Sequence, residues 1–506
     1  MVKPIKKHEI LVEKAPITVS AFLSKEMVKD VINKISLSKL DLILIPGFVQ
    51  WDTSDLEKEF SVNIKKGPEF ASDLPMILKD IDNIELSNKI SANKLIQISG
   101  EQLYNDIVKE RVKIATNNLG SHTFYINDKK SNIAIGRNLP PPIIAEIVNC
   151  TEKSDKNIIK KVDHYIASGA DVIDIGCVVN NPNPKRVQQI VQLIKNHFNT
   201  FVSVDSMNPE EILAAINEKI NIILSLDFSN YKDLINIPKN IPIVILPTNV
   251  KEGYFPNDPE TRVNNLFKLT KILKDLGFQK MIADPLLETP INPGICNSLE
   301  TYFLYKRKVS EAQNKNYELP LFFGISNVVE LMDIDSVGIN GLLASIAIEL
   351  DAGILFTVEH STKLMGGVRE LKESVKLNYL SKSKKSPPIN QGIQIFRAKG
   401  KTNQIVPKID DMNAISVNEL SYDYISDEKG YFKIYIDFYA QKIHVLFFSN
   451  NHNLIQTIVG TNAEALSKKI IELKLTSNLQ HINYIGRELS KAESCLIIGK
   501  PYIQDE

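Results

Sequence analysis

Apolar positions along this chain fall into short runs separated by polar stretches of helical period. Between about 140 and 380 the alternation becomes regular. Residues 143–148, 170–176, 201–206, 222–226, 241–246, 280–283, 321–324 and 354–358 each read as a buried strand. At or near their ends stand Asn149, Asp174, Asp205, Asp227, Asn249, Asp284, Asn327 and the pair Glu359-His360. Helical patterns follow over 154–168, 184–197, a stretch opened by Asn208-Pro209, a short 229–236, 260–276, 299–313, 339–348 and 362–379. Eight strand-helix units in a span close to the roughly 250 residues of a (β/α)₈ barrel predict a TIM barrel at the centre of an α/β chain. An open, doubly wound sheet is the alternative that the same pattern allows.

The flanks differ. Residues 1–130 read as a small N-terminal α/β domain. A strand at 42–45 is closed by Pro46-Gly47, Ser38 can cap or turn the chain before it, and a turn and helix over 67–83 begin near Ser72 or Asp73. The barrel occupies 131–380, and the Lys-, Ser- and Pro-rich 381–390 reads as a linker. Residues 391–506 read as a small C-terminal α+β domain, with a hairpin over 430–450 turning near Ala440-Gln441 and helical patterns over 462–474 and 485–497.

At 506 residues the chain is long enough for several domains. Lys plus Arg and Asp plus Glu both count 60, and that balance argues against a surface adapted to nucleic acid. Cys150, Cys177, Cys296 and Cys495 are too widely spaced for a disulfide framework in so long a chain, so a reduced setting is expected. With no signal-peptide pattern and no apolar run of membrane length, a cytoplasmic protein is predicted.

A barrel enzyme carries its chemistry at the C-terminal ends of its strands. Carboxylates recurring there suit a ligand with an amidine-like edge, which offers two parallel N–H donors. The plainer reading is that some of them cap the next helix, as Asp205 before Ser206 and Asn208 could. Asn327 can donate to one ligand atom and accept from another, or with Ser326 it can simply start a helix. His360 is either a donor at the barrel mouth or a surface residue. Cys150 and Cys177, just past strand ends, read as structural thiols. No zinc-ligand spacing, Walker A sequence, strand-linked GxGxxG or Ser-His-Asp arrangement is visible, and no metal is expected.

These motifs resemble a family. IVNCTEKS (147–154), GADVIDIG (169–176), FVSVDSMNPE (201–210) and MIADPLLE (281–288) resemble, in order and at the right strand ends, the pterin-binding barrel of dihydropteroate synthases and pterin-dependent methyltransferases. The whole chain resembles the archaeal dihydropteroate synthase-related proteins. The resemblance implies a reduced pterin, tetrahydromethanopterin or its methyl derivative, as ligand. It implies Asn149, Asp205, Asp284 and Asn327 as pterin-binding residues, and Asp174, Ser225, Asp227, Asn249 and His360, at or near strand ends, are candidate further contacts at the mouth.

The chain departs from the synthases at the seventh strand. Gly324-Ile325-Ser326-Asn327-Val328 stands where they carry a Ser-Arg-Lys motif, and Gly176-Cys177-Val178-Val179 replaces their Arg-containing loop. Arg186 comes later, and Arg137 or Lys66 would be other sources of positive charge. GISNVVE instead resembles the methyltransferases, in which the asparagine, here Asn327, supports protonation at pterin N5. That implies one-carbon transfer with Asn327 as catalytic residue and a corrinoid protein as partner. The chain itself has no cobalamin motif. The alternatives are condensation of a pterin pyrophosphate with an arylamine, and a non-catalytic pterin-binding scaffold. A homodimer is compatible with either. Tyr484, Gly486, Arg487 and Glu488 in HINYIGRELSKAE (481–493) read as a recognition motif or as a salt-bridged helix start.

Overall fold

The computed structural model describes residues 8–504 apart from 18–19, 38–39, 70, 80, 96–99, 116, 128–131, 390, 394 and 396–426. The chain divides into two compact units, Met1–Lys109 with Lys376–Ile393, and Glu110–Val375 with Gln394–Glu506. Ser38 lies outside the described residues.

In the first unit, β1 (Leu42–Ile45) and β2 (Asn63–Lys66) pair in parallel, joined through the helix Ser54–Phe60. Burial of Leu23, Val28, Ile32, Ile45, Leu56 and Ile64 between them and the helix Lys25–Ile32 supplies the driving force. Ser24 caps that helix by accepting from the Met27 amide. The Lys66 ammonium donates to the Val49 carbonyl at 2.8 Å, so its charge is used inside this unit. The helix Gly367–Lys384 continues past Tyr379 into the segment expected to be a linker, and its last turns belong here, where Lys384 meets Asp73 at 3.0 Å.

The second unit begins its sheets with an antiparallel hairpin, β3 (Thr123–Asn127) and β4 (Asn132–Gly136), which crosses position 130. The barrel follows as β5 (Ile143–Ile147), β6 (Val172–Gly176), β7 (Phe201–Asp205), β8 (Ile222–Leu226), β9 (Ile243–Ile245), β10 (Met281–Ala283), β11 (Phe322–Gly324) and β12 (Ile354–Val358). The eight are parallel, in the order β10-β9-β8-β7-β6-β5-β12-β11. A parallel bridge from Ala283 to Leu321, with the Ala283 amide donating to the Pro320 carbonyl at 2.9 Å, joins the ends. Closure is the outcome expected from the sequence, and the open-sheet alternative is set aside.

Local signals place the helices. Ser154, Asn183, Asn208 and Asp258 each accept from an amide in the first turn of the next helix, three of them with Pro at the first helical positions. Each cap contributes about 1 kcal/mol. The short helix after β8 is a single 3₁₀ turn, Tyr231–Leu234, and the insertion before β11 contains the helix Ile295–Ser310.

The C-terminal segment forms an antiparallel sheet of β13 (Tyr431–Asp437), β14 (Lys442–Phe448) and β15 (Leu454–Gly460), with the helices Ala463–Glu472 and Leu479–Ile498 on one face. Phe432, Ile434, Ile443, Val445, Leu466 and Leu489 make its core. HINYIGRELSKAE begins in the first turn of the second helix, where the Asn478 side chain accepts from the Gln480 and His481 amides. Glu488 is buried and accepts from Tyr502 at 2.7 Å and Lys491 at 3.0 Å, so this carboxylate stabilises the domain itself. Beyond the helix, Lys500 is buried against Glu370 at 2.9 Å and donates to the Lys363 carbonyl at 2.8 Å. Gly366, at φ +82°, lies so close to Gly499 that a Cβ there would sit 2.6 Å from the Gly499 oxygen.

Candidate active site at the barrel mouth

The strand tips converge on a carboxylate cluster. Glu146 on β5, Asp174 on β6 and Asp205 at the end of β7 bring carboxylate oxygens within 4.8 Å of one another. Register explains the meeting. Glu146 is opposite Asp174 across β5 and β6, and Gly176 is opposite Asp205 across β6 and β7. Room for the Glu146 carboxyl exists because Gly176 has no side chain. A Cβ there would lie 2.0 Å from Glu146 Oε1. Ser203 donates to Asp174 Oδ1 at 2.5 Å, whereas Asp174 Oδ2 is buried with no partner among the described residues.

Three like charges this close in a buried setting resist simultaneous ionisation. Burial, reinforced by the charge at Asp205, raises the proton affinity of Glu146 and Asp174, and burial raises that of Asp205. The cluster therefore presents both O–H donors and carboxylate acceptors at neutral pH. Its three oxygens are also spaced to grip a divalent cation.

Asp284 follows β10. Its Oδ1 accepts from the Leu286 amide at 2.8 Å and Tyr302 at 3.4 Å. Burial pushes its carboxyl up to about 7, against the pull of those two hydrogen bonds and of the Arg262 guanidinium. Arg262, fully buried, braces the loop by donating to the carbonyls of Pro256 at 2.6 Å and Leu286 at 3.2 Å, and pairs with Glu288.

Asn327 is exposed on the short helix Ser326–Val329 at the tip of β11. Its amide nitrogen donates to the Leu287 carbonyl at 2.9 Å, and its oxygen and second N–H remain for a ligand. Asn327 lies inside this short helix, and its side chain bonds to the Leu287 carbonyl rather than capping the helix. Asn149, at φ +50°, is exposed just past β5, and Ser225 is buried on β8.

Asp227 has a different role. Its two oxygens accept from the Ser229 amide at 2.7 Å, the Thr248 hydroxyl at 3.0 Å and the Val250 amide at 2.8 Å, which ties the loops after β8 and β9 together. Asn249 pairs its backbone with Tyr254, and its buried Oδ1 has no partner among the described residues. Glu359 is buried and bound by His164 at 2.7 Å and Lys161 at 3.5 Å. Burial works to raise its carboxyl, yet these contacts hold it below the usual range. Its neighbour His360 is exposed.

Burial pushes the Cys150 thiol up to about 12 and raises Cys177 as well, which favours the protonated thiol at both. Arg137 pairs with Glu318 at 2.6 Å beside Leu319 and Leu321, near the N-terminal start of β11, and is therefore at the wrong end of the barrel to supply charge to the mouth. Arg186 is held by Asp155 at 2.7 Å. Glu146 lies within the run 143–148, where the apolar pattern alone does not single it out. The missed signal was its cost, since a carboxylate inside a buried strand persists only with a purpose or a partner.

A closed parallel barrel with carboxylates gathered at its mouth defines the class, a pterin-binding barrel, and residues 147–340 match the family described as "Pterin binding enzyme". Residues 426–505 match the family described as PterinBD-DUF4346. The chain belongs to the dihydropteroate synthase-related pterin-binding family together with the archaeal "Uncharacterized protein MJ0107" of Methanocaldococcus jannaschii, to which it is 33% identical over 513 residues, 99% of this chain and 95% of that relative. The Ycf91-like protein of Nostoc is 31% identical over 124 residues, 19% of this chain and 97% of its own length. Among solved structures, Yersinia pestis dihydropteroate synthase bound to a pterine-sulfa conjugate is 17% identical, with a TM-score of 0.40, covering 51% of this chain and all of that one.

Proposed function

We propose that the barrel mouth binds a reduced pterin, tetrahydromethanopterin or its methyl derivative, and transfers a one-carbon group from its N5. A pterin edge offers the 2-amino and N3 hydrogens as donors beside an O4 acceptor. A cluster that holds both protons and charge, Glu146, Asp174 and Asp205, complements such an edge, and Asp284 adds a further acceptor as it ionises. Asn149 and Ser225 stand at the same rim.

The observation that carries the reading is the orientation of Asn327. One of its two amide hydrogens is donated to the Leu287 carbonyl, which holds the group in place, and its oxygen can accept from a protonated N5. Protonation makes that nitrogen the better leaving group. The N5–methyl bond then breaks with its electron pair going to nitrogen, while the methyl passes to a nucleophile such as a reduced corrinoid on a second protein. The segment 324–335 contains no Lys or Arg to assist a departing pyrophosphate.

The test is to mix the protein with methyl-tetrahydromethanopterin and cob(I)alamin and follow methylcobalamin formation. Turnover that falls about a hundredfold in Asn327→Ala is expected. Tight pterin binding without any turnover would sink the transfer reading. A second reading, condensation of a pterin pyrophosphate with an arylamine, is favoured by the lysines on the β5 side of the mouth, Lys153 and Lys160. Product formed from those two substrates would establish it instead.

A further inference from the structure

Beside the carboxylate cluster a cavity of about 690 Å³ opens between the barrel and the C-terminal domain. Its floor is Glu146, shared with the mouth. One wall is the helix Asp155–Ala167 with the loop before it, carrying Lys153, Lys160, Lys161 and His164. The other wall is the turn between β13 and β14, with Phe438 and Tyr439. The Tyr439 hydroxyl bonds to Asp163 on the facing helix, so the turn is docked against the barrel.

Charge is distributed unevenly here. Glu359 already engages Lys161 and His164. Lys153 and Lys160 have no acidic partner among the described residues, and Lys153 is half-buried. The carboxylate that the turn brings, Asp437, is folded back to accept from the amides of Tyr439 and Ala440 at 2.9 Å. The half-buried Lys153 and the exposed Lys160 therefore face a cavity whose lining mixes Phe438 and aliphatic side chains with the polar Asn157, His360 and Asp437. That combination suits a ligand with an apolar body and an anionic end.

We infer that this cavity is an anion-binding subsite, completed by the C-terminal domain, that takes an anionic substituent carried by the pterin. The inference rests on the pterin reading above and names what the ligand carries beyond its ring. A carboxylate tail, a phosphate ester and a pyrophosphate share the required chemistry. The C-terminal turn supplies the apolar wall, and Lys153 and Lys160 supply the charge.

Calorimetric titration of the full chain separates the possibilities, using 6-methyltetrahydropterin, tetrahydrofolate, and the monophosphate and pyrophosphate of 6-hydroxymethyl-dihydropterin. At least one anionic ligand should bind about tenfold more tightly than the ligand without an anion, with a gain that shrinks as salt is raised. Which one gains identifies the source of the anion. The gain should vanish in Lys153→Ala/Lys160→Ala and fall in Tyr439→Glu, which puts a negative charge on the facing wall. Binding of 6-methyltetrahydropterin should stay unchanged in both, which also reports that they fold.

Equal binding of anionic and plain ligands by the wild type overturns the subsite while leaving the pterin reading intact. A gain that survives both variants overturns it too. Failure of every ligand, 6-methyltetrahydropterin included, overturns the pterin reading itself, and the subsite falls with it.

Discussion

Asp284→Asn isolates one buried carboxyl. In the unfolded chain an aspartate releases its proton near pH 4. In the fold, burial holds Asp284 protonated up to about 7. Between those values the folded chain keeps a proton that the unfolded chain has lost, so stability falls as pH rises through the window, and the loss is complete above pH 7. About three pH units at roughly 1.4 kcal/mol each gives a loss on the order of 4 kcal/mol attributable to this group.

Asparagine keeps the shape and an oxygen that can accept from Leu286 and Tyr302, but it does not titrate. The fluorescence of the single tryptophan, Trp51, reports on the other unit. The assay is therefore native-state hydrogen exchange by mass spectrometry on peptides spanning β9 to β11, with the chemical exchange rate divided out at each pH. Wild type should lose several kcal/mol of protection between pH 4.5 and 8 relative to Asp284→Asn. Parallel pH profiles for the two proteins would refute the reasoning. Pterin binding makes the complementary measurement, because a ligand that needs the ionised carboxylate binds wild type more tightly as pH rises through 7, and the variant should lack that step.

Two further substitutions probe the scaffold. Arg262→Met leaves the carbonyls of Pro256 and Leu286, and the Glu288 carboxylate, without their buried donor. It should cost about 3–5 kcal/mol by urea denaturation, and an unchanged midpoint would show that the guanidinium is dispensable. Gly176→Ala forces the Glu146 carboxyl out of its place and should cost about 1–3 kcal/mol. Removing that carboxyl as well, in Gly176→Ala/Glu146→Ala, should recover most of the loss, whereas strictly additive effects would mean the two residues do not meet.

The barrel was legible because eight apolar runs each end on a polar residue, and helices that cover a parallel sheet leave just that signature. Asp205 and Asp284 were visible for the same reason. What escaped was whatever depended on register or on a long-range partner. Glu146 faces Asp174 across the successive strands β5 and β6, and no local pattern reports the register that pairs them. Asp227 looked like its neighbours until its loop partners were seen. β15 went unread because Leu454–Gly460 lies at the edge of its sheet with most of its side chains exposed, so it lacks the alternation that burial of one face imposes. The hairpin β3–β4 is short, and its strands carry no turn signal of the Asn-Gly kind.

The fastening of the C-terminal domain bears on how a ligand reaches the cavity. The domain is attached to the barrel at separate points, by Lys500 and the Gly366–Gly499 backbone contact at one and by Tyr439 on Asp163 at the other. At the first point, opening means exposing the buried Lys500–Glu370 pair, whereas Tyr439 is exposed and its bond to Asp163 restrains the turn little. A ligand of the kind proposed above would meet a cleft fixed on its Lys500 side, and less of its binding energy would go into ordering the protein there.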